Sequence, residues 1–152
     1  MSGVIRNLGC IGSHFRDTGH LAIIDLREPR NPREIDYPQY HAACDAIASG
    51  LAKRGYKPGT RVGLLCSNRA EFLQIFYGAM RAGVVPVMMG ILQPAETLAW
   101  IAQDSSIELV FCEQALRAVP KGQPTDQWFR SCDFKIFCAA CWDHAKLVLG
   151  GL

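Results

Sequence analysis

Apolar positions along the chain change their period several times, and each change marks an element. The run His20-Leu21-Ala22-Ile23-Ile24-Asp25-Leu26 is short and rich in branched apolar side chains, which predicts a strand. Pro29 and Pro32, with Asn31 between them, break it, and Arg33 to Tyr37 reads as a returning strand of a small hairpin. Tyr40, Ala43, Cys44, Ile47, Ala48, Leu51 and Ala52 then recur at the spacing of one helix face. Gln39, His41, Asp45, Ser49 and Lys53 fall on the other side. Pro38 suits the first turn of that helix, Lys53 and Arg54 suit the negative end of its dipole, and Gly55 supplies a left-handed cap.

Lys57-Pro58-Gly59 puts Pro and Gly where a type II turn needs them. Val62-Gly63-Leu64-Leu65-Cys66 follows as a buried strand. Asn68, with Glu71 three residues on, has capping-box spacing for a second helix. That helix carries Phe72, Leu73, Ile75, Phe76, Tyr77, Ala79 and Met80, apolar over more than half its girth, so it should be buried on more than one side; Gly83 ends it. Val84 to Met89 is the next strand, with the reservation that Pro86 cannot donate a ladder hydrogen bond. Pro94 opens a third helix with Leu98, Ile101 and Ala102 inward, Ser105 and Ser106 close it, and Glu108 to Cys112 is a third strand. Strands alternating with helices at this pitch predict βαβ units and a parallel sheet. The fold class is α/β: an N-terminal hairpin and helix followed by βαβαβ units.

Composition narrows the class without naming a function. The chain has 152 residues, 49% hydrophobic and 20% charged, which fits a globular chain about one domain long and not a disordered one. A net charge of +2 gives no basic stripe for nucleic acid. No apolar run approaches the roughly 18 residues that span a bilayer. Met1 to Phe15 has no secretory apolar core, and Leu8-Gly9-Cys10 lacks the apolar stretch that a lipoprotein cleavage site requires. Seven cysteines scattered through such a composition point to reduced thiols and a cytoplasmic location.

An α/β pattern alone fits many functions; the wording between Asp36 and Glu113 is more particular. Asp36-Tyr37, a helix ending Gly50-Leu51-Ala52-Lys53-Arg54-Gly55, and Pro58-Gly59-Thr60-Arg61-Val62-Gly63 resemble the opening of the adenylate-forming (AMP-binding) superfamily, with Thr60 where Asp is commoner. Ser67-Asn68-Arg69-Ala70-Glu71-Phe72 is similar to its next helix start. Ala79-Met80-Arg81-Ala82-Gly83-Val84-Val85-Pro86-Val87 is similar to its Ala-Gly…Val-Pro-Val stretch. Pro94 to Leu98 and Asp104 to Cys112 are similar to its following helix and strand. The resemblance implies part of the large N-terminal domain of an acyl-CoA synthetase. In that family a carboxylate attacks the α-phosphate of ATP, pyrophosphate leaves, and the thiol of CoA captures the acyl-adenylate, with Mg²⁺ and N–H or cationic donors offsetting charge.

The resemblance also implies a Ser/Thr/Gly-rich phosphate loop ending in Pro-Lys, since backbone N–H groups must approach the oxyanions. No such run stands in this sequence: Val119-Pro120-Lys121-Gly122 and Leu149-Gly150-Gly151-Leu152 are the nearest approaches. The expectation is therefore residues 1–123 as a partial synthetase domain, residues 124–152 as an unmatched Cys/Trp-rich tail, no catalytic residue of the family on any position, and inactivity alone. Met88-Met89-Gly90-Ile91 departs from the family's wording, with Gly90 allowing a sharp turn. Arg117 and Lys121 would face CoA phosphates by analogy with acetyl-CoA synthetase relatives, against a plain reading as solvated cations.

Three further constellations invite chemistry. Cys138-x-x-Cys141-x-x-His144, with Cys132, has zinc-like spacing, though all four sit in one short segment and read equally as small hydrophobes. His41 and Asp45, one helical turn apart, resemble an acid–base pair but read as solvated on a polar face. Trp100, Tyr77 and Met80 read as core or interface. Two rival classes stay open: a non-catalytic α/β interaction module using its sheet edges and apolar helix, and a small metal-binding protein through the tail. The composition shift also fits an aberrant end from a truncated or frame-shifted reading frame.

Overall fold

A computed structural model describes residues 7–113 and the backbone of residues 135–138. The predicted hairpin forms from β1 (Leu21–Asp25) and β2 (Arg33–Asp36), paired antiparallel with a register slip between Leu21 and Ile23. Helix α1 (Tyr37–Lys53) follows β2 directly. Its N-terminus is a full capping box: the Asp36 carboxylate accepts the Gln39 backbone N–H at 2.8 Å and the Gln39 side chain accepts that of Asp36 at 3.3 Å. Gly55 takes the left-handed conformation at φ 83°, ending the helix as read from sequence. In the next turn Gly59 lies at φ 88° and the Thr60 N–H bonds to the Lys57 carbonyl at 3.0 Å.

The main sheet contains β3 (Arg61–Leu65), β4 (Val85–Met88), β5 (Leu109–Cys112) and β6 (Lys135–Cys138) in the order β4-β3-β5-β6, all parallel. Helix α2 (Ala70–Arg81) connects β3 to β4, and α3 (Ala95–Asp104) crosses back over β3 to β5. Strand alternation divides the core between the two faces. Val62, Leu64, Leu109 and Phe111 pack with Ile47 and Leu51 of α1 and Ile75 and Ala79 of α2. Leu65, Val110 and Cys112 pack with Leu98 and Ala102 of α3 on the opposite face. Burial on both faces explains why β3 and β5 read as continuous apolar runs rather than alternating ones. A third cluster of Ile35, Tyr40, Cys44 and Ala70 seats the hairpin on α1 and the start of α2.

Pro86 is accommodated because β4 borders the described sheet on one side only. Gly83, at φ 74°, ends α2 and lets its carbonyl accept the Gly59 N–H at 2.8 Å. Gly90 makes its turn without a left-handed backbone: the Gln93 N–H returns to its carbonyl at 3.1 Å. The capping box expected at Asn68 and Glu71 does not form. The residue before α2 is Arg69, with no capping side chain of its own. The orphan N–H of Ala70 instead reaches the Asp25 carboxylate, 3.2 Å away on the hairpin, so a remote group satisfies the helix end.

Candidate functional site

In an open parallel sheet, ligands bind outside the carboxyl ends of the strands where the chain reverses its direction of travel across the sheet. Here the chain runs from β3 out to β4, then back past β3 to β5, so that point lies between β3 and β5. The loop after β3 contributes Ser67 and Arg69, and the end of β5 contributes Glu113. The Ser67 backbone N–H and hydroxyl donate to Glu113 Oε2 at 3.1 and 2.8 Å, and Arg69 Nη1 donates to Glu113 Oε1 at 3.3 Å. Arg69 Nε donates to Glu71 Oε2 at 2.6 Å, and Arg33 Nη2 from the hairpin donates to Glu71 Oε1 at 2.8 Å. Asp25 accepts the N–H groups of Ala70 and Arg27 at 3.2 and 3.1 Å.

Charge therefore alternates along a chain from the hairpin through the start of α2 to the end of β5. Burial by itself would raise the Glu71 pKa, but the hydrogen bonds from Arg69 and Arg33 outweigh it and hold the carboxyl at about 2. Glu113 is likewise held below its ordinary range: burial opposes ionisation, while the two bonds from Ser67 and the Arg69 charge overcome it. Burial, followed by the neighbouring Glu113, pushes the Cys66 thiol up to about 11, away from the thiolate a nucleophile requires. Glu71 and Glu113 are thus ionised, each bonded on both oxygens, and the Arg69 cation is committed to them. This arrangement can fix the hairpin, α2 and β5 relative to one another. Among the described residues of this network, the two carboxylates are held ionised and the Arg69 cation is shared between them.

The constellations read from sequence fall differently. His41 and Asp45 are not a solvated pair. His41 is 0% exposed, with Nε2 3.2 Å from the Gly12 carbonyl and Nδ1 against the Arg81 guanidinium. Asp45 is half-buried between Arg16, at 2.6 Å, and Arg81, at 2.7 Å. The helical pattern placed these two side chains correctly opposite the apolar face. It gave no sign that residues 7–16 cover that side. Trp100 is 63% exposed, which excludes the core reading. Tyr77 packs edge-on to Tyr40 and Phe76. Arg117, Lys121, Cys132, Cys141, His144 and the side chain of Cys138 lie outside the described residues. Among the described residues no group of three or more His, Cys, Asp or Glu could hold a metal, and no helix is long and apolar enough to cross a membrane.

The ion network was missed from sequence because its members are dispersed: Arg33, Glu71 and Glu113 lie in three separate elements. The only signal was a Glu on the first turn of an otherwise very apolar helix.

These elements define an open parallel α/β sheet whose switch point is bridged, among the described residues, by ion pairs. The chain belongs to the AMP-binding enzyme family, whose model matches residues 15–133. An uncharacterised protein of Mycobacterium tuberculosis is 31% identical over 91 residues, 60% of this chain and 52% of that protein. The 4-hydroxybenzoate–CoA/benzoate–CoA ligase of Rhodopseudomonas palustris is 29% identical over 93 residues, 61% of this chain and 16% of the ligase. The chain thus spans about half the length of the first relative and about a sixth of the second. Among solved structures, the N-terminal domain of FACL13 from Mycobacterium tuberculosis superposes with a TM-score of 0.77 at 22% identity, over 97% of this chain and 36% of that one. The likeness is to fold. The family match passes the sequence-derived boundary at residue 123, and β6 pairs with β5 in register inside the segment read as a tail.

Proposed function

We propose that this chain is the opening segment of an ATP-dependent, AMP-forming acid–thiol ligase of the acyl-CoA synthetase kind, and that it contributes scaffold rather than reacting groups. The observation that carries this reading is the switch-point crevice, whose described carboxylates and Arg69 are committed to one another. In the complete ligase, ATP, Mg²⁺ and CoA would be gripped by residues from elsewhere, and a carboxylic acid, as in fatty acid metabolism, would be the substrate. The described residues do not fit a triphosphate, so no step is assigned to them. In this reading the family portion runs at least to residue 133, past the boundary expected at 123 with residues 124–152 as a tail, and a cytoplasmic location fits the cysteine usage.

A second reading, a non-catalytic interaction module, is favoured by exposed apolar side chains on and after β4: Met88, and Leu92 at 93% exposure. The same surface would serve a scaffold that packs against the remainder of a synthetase.

A segment exchange tests the scaffold reading. The matched segment of this chain is placed in the Rhodopseudomonas palustris ligase in exchange for the ligase's own. The chimera should show more acid-dependent ATP–pyrophosphate exchange than the ligase with that segment deleted. A chimera that melts cooperatively yet exchanges no better than the deletion would count against the reading.

A further inference from the structure

The segment Asn7–Arg16, two short 3-10 turns at Leu8–Cys10 and Ser13–Phe15, is strapped across α1 and α2 by a small set of polar contacts. The Asn7 side chain donates to the Met80 carbonyl at 2.7 Å. Gly9 lies so close to α2 that a Cβ there would stand 2.5 Å from the Arg81 nitrogen and 2.6 Å from the Tyr77 carbonyl oxygen. Arg81 holds the strap from α2: Nε donates to the Gly9 carbonyl at 2.7 Å, and Nη1 donates to the His41 carbonyl at 3.1 Å and to Asp45 at 2.7 Å. Arg16 closes the far end on Asp45 at 2.6 Å. His41 sits at the centre of these contacts.

The proton on His41 is fixed by its neighbours. A guanidinium only donates, so Nδ1, which faces Arg81, must accept. The single ring proton is then on Nε2 and is donated to the Gly12 carbonyl of the strap, 3.2 Å away. A second proton would have to go on Nδ1, setting N–H against N–H and cation against cation. The charged groups facing the ring are Arg81 from α2, Asp45 from α1 and Arg16 from the strap, two positive and one negative. Tyr37 and Tyr40 flank it, and the ring of Phe15 of the strap lies tilted against Tyr37, 5.0 Å between centroids. Burial, the largest influence, and the two arginines together keep the His41 pKa below its ordinary value of 6.5.

We propose that residues 7–16 are a pH-sensitive clasp, latched by neutral His41 between Arg81 and the Gly12 carbonyl and released when the His41 ring is protonated. The sign follows from linkage. A histidine whose pKa is depressed in the closed state and normal in the open one favours closure above about 6.5, and that preference is lost as pH falls below it. While the closed-state ring stays neutral, the opening equilibrium rises by up to about tenfold for each pH unit below 6.5. The clasp is independent of the synthetase reading: its residues, apart from those of α1 and α2, lie almost wholly before the family match begins at residue 15.

Amide hydrogen exchange on the full chain tests it, with rates corrected for the intrinsic pH dependence. The amides of Cys10, Ile11 and Phe15, which bond within the strap, should lose protection by up to about fivefold between pH 6.5 and 5.5. The amides of Val85 and Met89, bonded to the Thr60 and Leu64 carbonyls, should not. In His41→Gln the strap's pH dependence should disappear. His14→Gln, at the exposed histidine of the strap, should keep it. Strap protection independent of pH in the wild type, or an equal loss in His41→Gln, would overturn the proposal. Should His41→Gln fail to fold, the wild-type imidazole resonances decide: His41 titrating near 6.5 while the strap amides remain protected would equally overturn it.

Discussion

Gly78→Val is expected to destabilise the chain by on the order of 3 kcal/mol, a large part of the roughly 5–15 kcal/mol that holds a domain folded. Gly78 lies where α2 crosses α1. A Cβ added there would meet the Ile47 Cβ at 2.7 Å, the Cys44 carbonyl oxygen at 2.9 Å and the Ile47 Cγ2 at 3.0 Å. One of these atoms is backbone and the others belong to a stiff branched side chain, so none swings away cheaply. Relief requires the helices to separate, and Ile47 and Ile75 of the same interface anchor the larger core cluster. The loss would appear as a fall in the urea midpoint of more than about 1 M at an unchanged slope. Gly19→Val, where nothing lies within 4 Å of the added Cβ, should stay within about 0.5 kcal/mol of wild type. Similar losses at both positions would mean that the α1–α2 crossing is not as close as described.

Glu71→Gln has the second large effect, and it depends on pH. The Glu71 side chain is 7% exposed and bonds both Arg69 and Arg33. Removing one member of a buried pair costs about 3–5 kcal/mol when the other is left stranded. Arg69 keeps Glu113, and Arg33 is half in solvent, so a loss near 3 kcal/mol at neutral pH is expected. The wild-type carboxyl has a pKa of about 2 against an ordinary 4.5. A depressed carboxylate contributes stability that is complete above its unfolded value and disappears as pH falls through the folded one. The difference in unfolding free energy between wild type and Glu71→Gln should therefore be constant from pH 7 to about 5 and shrink between 4.5 and 2. Asp25, Asp45 and Glu113 also have lowered values. They are present in both proteins and largely cancel in the difference. A gap that persists unchanged at pH 2 would show that Glu71 acts through shape and not through charge.

Much of this fold was legible because local signals agreed. Pattern, terminal charge and Gly55 all marked α1, and Lys57-Pro58-Gly59 marked its turn by φ requirements alone. Pro86 signalled a constraint on β4 that its border position then satisfied. What failed did so where a distant segment overrode a local rule. Asn68 and Glu71 have the spacing of a capping box, yet Asp25 on the hairpin takes over the cap and frees Glu71 for two arginines. His41 lies on the polar side of a helical wheel, but a wheel cannot show that Gly12 and Arg81 close over that side. Among the site residues, Ser67, Arg69 and Glu113 could be assigned to loop or helix start from sequence. Their convergence follows only from the crossover that brings β5 beside β3.

The measurement with most bearing on function is ATP–pyrophosphate exchange by the purified 152-residue chain, with Mg²⁺ and a panel of aliphatic and aromatic carboxylic acids. The scaffold reading predicts no exchange above a blank with any acid, while an intact family ligase exchanges in the same buffer. Acid-dependent exchange that co-purifies with the folded chain would contradict it, and would place a working nucleotide site within these residues.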